Sequence, residues 1–142
     1  MKMTLAEVQM TGQNLAMIAM KKLPHDLAYV VSKNLMVLQS DIRLMEERKR
    51  EIAKTYAEKD ETGNYITKDN CYTFSAEEAK AFEQEFAEFL GTETEVAIYT
   101  VTEDEFVQAL KKTESDRFDV LAPAEMIALD FMIQKEENRN DK

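Results

Sequence analysis

The sequence has one cysteine, one histidine, two prolines, three glycines and no tryptophan among its 142 residues. A lone Cys71 cannot close an internal disulfide, and one thiol with one imidazole falls short of a structural zinc site. A reducing compartment is the expectation that follows. Long hydrophobic runs are missing too: "LAMIAM", Leu15 to Met20, is far below the roughly 20 residues that span a bilayer. Glu7 and Gln9 interrupt the stretch that a secretory leader would keep apolar. Neither a leader nor a membrane span is therefore expected. The sequence also contains no glycine-rich phosphate loop, no Gly-x-Ser-x-Gly elbow and no His-Glu-x-x-His pair. These gaps argue against an enzyme and leave no cofactor, metal ligand or catalytic residue to name.

Apolar residues make up 44% of the chain and charged residues 32%, the balance of a globular, helix-rich protein. The net charge of −10 is uneven. Residues 1–60 hold 10 basic and 8 acidic side chains, whereas residues 61–142 hold 8 basic and 20 acidic ones. Clustered Lys and Arg are what phosphate contacts need, so direct nucleic-acid binding is not expected. A basic protein surface remains a suitable partner.

Leu5, Val8, Gly12, Leu15 and Ala19 recur at helical spacing and predict a helix from about Thr4 to Lys22. Met3, Met10, Met17, Ile18 and Met20 add a second apolar edge, so both faces of this helix are expected to find partners. In "KKLPHDLAYVVSKN", Leu23 ends that helix and Pro24 opens the next, because proline suits a first turn. His25 and Asp26 are adjacent on that turn and point to different sides, with no nucleophile at a suitable spacing, so a hinge is read rather than a dyad.

From Leu27 the apolar stripe runs through Val31, Leu35, Leu38, Ile42, Met45, Lys49, Ile52 and Tyr56, a coiled-coil-like seam. A continuous helix from Pro24 to about Glu58 would be some 35 residues, or about 50 Å. The charged half, "RLMEERKREIAKTYAEKD", is expected to project or meet another subunit. Glu46, Glu47 and Glu51 invite comparison with the Glu-Glu-x-x-Glu magnesium cluster of all-α nucleotide pyrophosphohydrolases, but Arg48, Lys49 and Arg50 sit inside the would-be cluster.

Beyond it, Gly63-Asn64 predicts a turn, and Tyr65–Thr67 with Cys71–Phe74 either a small hairpin or an extended cover, leaving Cys71 a structural or incidental thiol. Ser75 with Glu78 is a capping box for a helix closed by Gly91, with Ala79, Phe82, Phe86, Phe89 and Leu90 on its buried face. "TETEVAIYTV" alternates as a strand, with Val96 and Ile98 on one side and Ala97, Tyr99 and Val101 on the other. Thr102 and Glu105 cap a short helix carrying Phe106 and Leu110. An extended run at Phe118–Leu121 precedes a helix from Pro123, which Met126, Ile127, Leu129, Phe131, Met132 and Ile133 surround, so that it is either deeply buried or an interface, and then a polar tail.

The fold class is thus mainly α with a small β element, an α+β chain built on an N-terminal helical hairpin. Residues 1–135 form one domain, divided into a hairpin at 4–58 and a smaller α+β part at 59–135, with a tail at 136–142. Candidate partner contacts are Met126, Ile127, Phe131 and Met132 on the terminal helix and Leu38, Ile42, Met45 and Ile52 on the long seam.

The order of "KLP…AYVVSKN", "DETGNY", "TETEVAIY" and "LAPAEMIALDFMI" resembles small proteins encoded by tailed bacteriophages and prophages. The resemblance lies in layout and covers most of the chain. It implies a phage-encoded accessory or virion-associated protein, in the host bacterial cytoplasm or the virion. Read with the apolar seam, it points to an interaction or virion-assembly protein that self-associates through the long helix or the terminal helix and binds a phage or host protein. It supplies no catalytic residues. The alternative is an acidic inhibitor whose Glu83, Glu85, Glu93, Glu95 and Glu103 imitate nucleic-acid phosphates.

Overall fold

A computed structural model describes residues 1–135; the expected tail at 136–142 lies outside them. The described residues are mainly helical with three small two-stranded sheets. Strand β1 (Lys2–Thr4) leads into helix α1 (Leu5–Ile18). Thr4 and Glu7 form a capping box, with Thr4 Oγ1 accepting from Glu7 N at 3.1 Å and Glu7 Oε1 accepting from Thr4 N at 2.8 Å. Its sequence signature is Thr-x-x-Glu at Thr4 and Glu7. Helix α1 stops one turn early, so Ile18 takes the last buried place and Ala19 is exposed.

Helix α2 (His25–Tyr56) follows in antiparallel contact with α1. Pro24 is its N-cap rather than its first helical residue, and the Pro24 carbonyl accepts from Ala28 N at 2.8 Å. Leu27, Val31, Leu38, Met45 and Ile52 are buried, each stabilising the fold by about 1.5–3 kcal/mol. Gly12 permits the close approach of the two helices. A Cβ there would stand 2.5 Å from Ile42 Cδ1.

The second half of α2 does not project bare. Helix α3 (Ala76–Leu90) lies against it, also antiparallel: Tyr56 Oη donates to Glu85 Oε1 at 2.6 Å, and Lys49 Nζ stands 5.2 Å from the Phe86 ring centroid. The start of α1 adjoins the end of α3 through Leu5 N donating to Thr92 O at 2.9 Å, and β1 pairs antiparallel with β4 (Glu93–Glu95). Helices of 14 and 15 residues therefore sit in tandem along one of 32. Two short partners share the long apolar stripe, which removes the need for projection. Helix α3 buries no side chain fully. Its Phe82, Phe86 and Phe89 are half-buried and stack in sequence with Phe74.

The expected hairpin forms from β2 (Thr67–Lys68) and β3 (Cys71–Tyr72), but its turn is Asp69-Asn70, both with positive φ. Such a pair suits a two-residue hairpin turn. Gly63, at φ 89°, makes a separate turn fastened by the Asp60 carboxylate, which accepts from Thr62 N and Asn64 N.

The predicted strand at "TETEVAIYTV" is divided. Its first part is β4, its last part begins β5 (Val101–Thr102), and residues 96–100 between them join no sheet. Alternation fails there as well, because Val96 and Val101 are both buried. Strand β5 pairs in parallel with β6 (Ile133–Gln134), and α4 (Glu103–Lys112) opens on the expected Thr102/Glu105 box.

The terminal helix is shorter than expected. Helix α5 spans only Pro123–Ala128, then a 3₁₀ turn at Asp130–Met132 redirects the chain into β6. Apolar residues on every side of a notional long helix are explained by that change of direction: Leu129 and Met132 reach the core while Ile127 stays outside. Residues 118–121 join no strand. Among the described residues no helix is long and apolar enough to cross a membrane.

Candidate functional site: an apolar groove beside the C-terminal segment

Capping by Thr102 fixes where α4 starts, and its helical period then turns Phe106 inward and Val107 outward. The break after Ala128 brings α5 and β6 back against it. Between them runs a groove of about 420 Å³ with Phe106, Val107, Met126, Ile127 and Ile133 as its apolar lining and Glu103, Asp130 and Lys135 at its polar edge. Ile127 is 75% exposed and Val107 45% exposed. Asp130 accepts from Lys135 Nζ, and this hydrogen bond with the charges of Asp130 and Glu103 raises the Lys135 pKa above its ordinary value.

Helix α5 is anchored from behind. Glu125 Oε1 accepts from Ala122 N at 2.7 Å and lies 3.0 Å from Lys21 Nζ, which also donates to Val120 O at 3.0 Å. The Ala122 N–H first, and then Lys21, hold the Glu125 carboxyl below its ordinary pKa. Ile127 is thus presented by a helix tied to the hairpin.

Of the partner contacts expected from sequence, Met126 and Ile127 line the groove, and Phe131 is half-buried against the core. Met132, Leu38, Met45 and Ile52 are 3% exposed or less, closed off by the chain's own elements, and offer a partner no surface. Ile42 is half-buried over Gly12. The seam of α2 is therefore an internal packing face in this fold. Val107, Phe106 and Ile133 were not anticipated as groove residues. The α4 residues could have been noticed as adjacent apolar positions, but only the return of β6 makes them a groove.

Tertiary structure also brings Ser115 into a cleft with His25 and Asp26. No hydrogen bond joins them, and Ser115 Oγ accepts from Arg117 N at 3.1 Å. A nucleophile without a base in hydrogen-bond reach is not activated. On α2, Glu51 Oε1 pairs with Arg48 at 3.1 Å, and among the described residues no three Asp, Glu, His or Cys side chains are grouped to hold a metal ion. Cys71 is exposed on β3.

The acidic residues considered as a phosphate track do not share one face. Glu83 and Glu85, two apart on α3, diverge by over half a turn. Glu85 accepts from Tyr56, and Glu95 pairs with the Met1 amino group at 2.8 Å. No family model, curated protein or solved structure matches the chain.

Proposed function

We propose that this chain is a non-enzymatic, phage-encoded interaction protein, an accessory of virion assembly, whose α4–α5 groove seats an apolar segment of a partner protein. The observation that carries the reading is Ile127, 75% exposed beside Val107 on an apolar floor. Burying both would remove a large apolar area from water, whereas solvated surface charges contribute little to binding. The charged edge would then orient the segment.

The test is affinity capture from phage-infected cells with the wild-type chain and with Ile127→Glu. Recovery of a virion structural protein by the wild type, lost in Ile127→Glu and little altered by moderate salt, is the expected result. Equal recovery by Ile127→Glu, or recovery of no virion protein, would overturn it. Loss of a host nucleic-acid-binding protein when Glu83, Glu85, Glu93, Glu95 and Glu103 become glutamine would favour the acidic inhibitor instead, since added salt screens that kind of contact.

A further inference from the structure

Helix α1 carries a second seam that the described residues leave uncovered. Ala6, Met10, Gln13 and Met17 are spaced 4, 3 and 4, the step of a coiled-coil stripe, and all four are exposed, as is Met20 in the turn beyond the helix. Met10 is 65% exposed, Met17 71% and Met20 87%. At roughly 100° per residue this stripe lies opposite Leu5, Val8, Gly12 and Leu15, which fasten α1 to α2. Single exposed apolar side chains are ordinary, but a continuous row on a rigid helix marks an interaction face.

Charge identifies what covers it. The chain carries −10 overall, with 32% of its residues charged. Along α1 only Glu7 is charged, and its carboxylate is turned onto Thr4 N at the helix start. The residues flanking the stripe, Gln9, Asn14 and Ala16, are uncharged. In a two-fold contact each surface meets itself, so a charged face repels its own copy and an uncharged one does not. A basic partner would find its complement in the acidic second half of the chain, not here.

We infer that the outer stripe of α1, Ala6, Met10, Gln13 and Met17, is a self-association face that pairs with the same stripe of a second copy. Methionine side chains adapt to one another across such a contact. Gln13, the one polar member, sits mid-stripe, where a polar seam residue fixes register at some cost in stability. The face is separate from the α4–α5 groove, and either can hold without the other.

Light scattering on the full chain at tens of micromolar should give twice the 16.4 kDa of one chain. Met10→Glu with Met17→Glu should return the mass to a single chain while circular dichroism keeps its helical signal. Ile127→Glu should leave the doubled mass unchanged. In a Cys71→Ser background, Gln13→Cys should form an intermolecular disulfide on mild oxidation, because its position mid-stripe keeps the two thiols near each other in either helix orientation. Ser40→Cys on the exposed side of α2 should not. A wild-type mass of one chain, or a doubled mass retained in the Met10→Glu/Met17→Glu variant, would overturn the inference. So would a Gln13→Cys cross-link no stronger than that of Ser40→Cys.

Discussion

The side chain of Asn34, in the middle of α2 and fully buried, grips the backbone of Tyr99, 65 residues away. Its Oδ1 accepts from Tyr99 N at 2.7 Å, and its Nδ2 donates to Tyr99 O at 2.9 Å. A side-chain amide thus plays the part of a neighbouring strand for one residue. Nδ2 also lies 3.4 Å from Met132 Sδ, which ties the same point to the C-terminal segment. Residues 96–100 can therefore leave the sheet without stranding the Tyr99 groups.

Asn34→Ala should destabilise the protein by about 2–3 kcal/mol, since two backbone groups lose their partners near the core. Urea unfolding should show a lower midpoint with an unchanged slope. Asn34→Asp should also be destabilising at neutral pH, because it keeps an acceptor, loses the amide donor and buries a charge. A change within 0.5 kcal/mol for Asn34→Ala would refute the anchoring role.

Gly12→Ala should be tolerated, within about 1 kcal/mol of wild type. The added Cβ meets the movable end of Ile42, and alanine favours the helix by about that amount. Gly12→Leu should cost about 1–3 kcal/mol by overpacking. Ile42→Ala in the Gly12→Leu background should recover part of the loss, and thermal melts of the four variants measure that coupling. Additive effects would mean that the close contact does not limit the hairpin.

Glu125 predicts an acid dependence. Its folded pKa lies below the ordinary 4.5 because Ala122 N–H and Lys21 favour the carboxylate. Its stabilising effect is therefore fully present above pH 4.5 and is lost as the pH falls through the folded value. Glu125→Gln should flatten the stability profile in that acidic window and lower stability at pH 7, where the contribution of the carboxylate is fully present, while changing little at pH values below the folded pKa. Matching wild-type and variant slopes below pH 4.5 would show that the Lys21–Glu125 tie carries no linkage.

What could be read from sequence was local. Pro24 set the hinge, the Ser75/Glu78 and Thr102/Glu105 boxes set two helix starts, and the long stripe set the extent of α2 to within two residues, because caps and helical period depend on neighbours a turn away. The strand at "TETEVAIYTV" was misread because strand identity depends on a partner: β1 takes Glu93–Glu95, Asn34 takes Tyr99 and β6 takes Val101. The last helix was overextended because an apolar run reads alike in a long buried helix and in a chain that turns after Ala128.

The groove belongs wholly to the tertiary level. Met126 and Ile127 were visible as apolar residues, but Met132 beside them is core, and only the path of the chain separates the two cases. The same holds for the α2 seam, which the sequence presents as an interface and α1 and α3 cover in tandem. A periodic apolar stripe states that a face must be buried. Which surface buries it, the chain's own or a partner's, is decided by loop lengths and long-range pairings that no local pattern encodes.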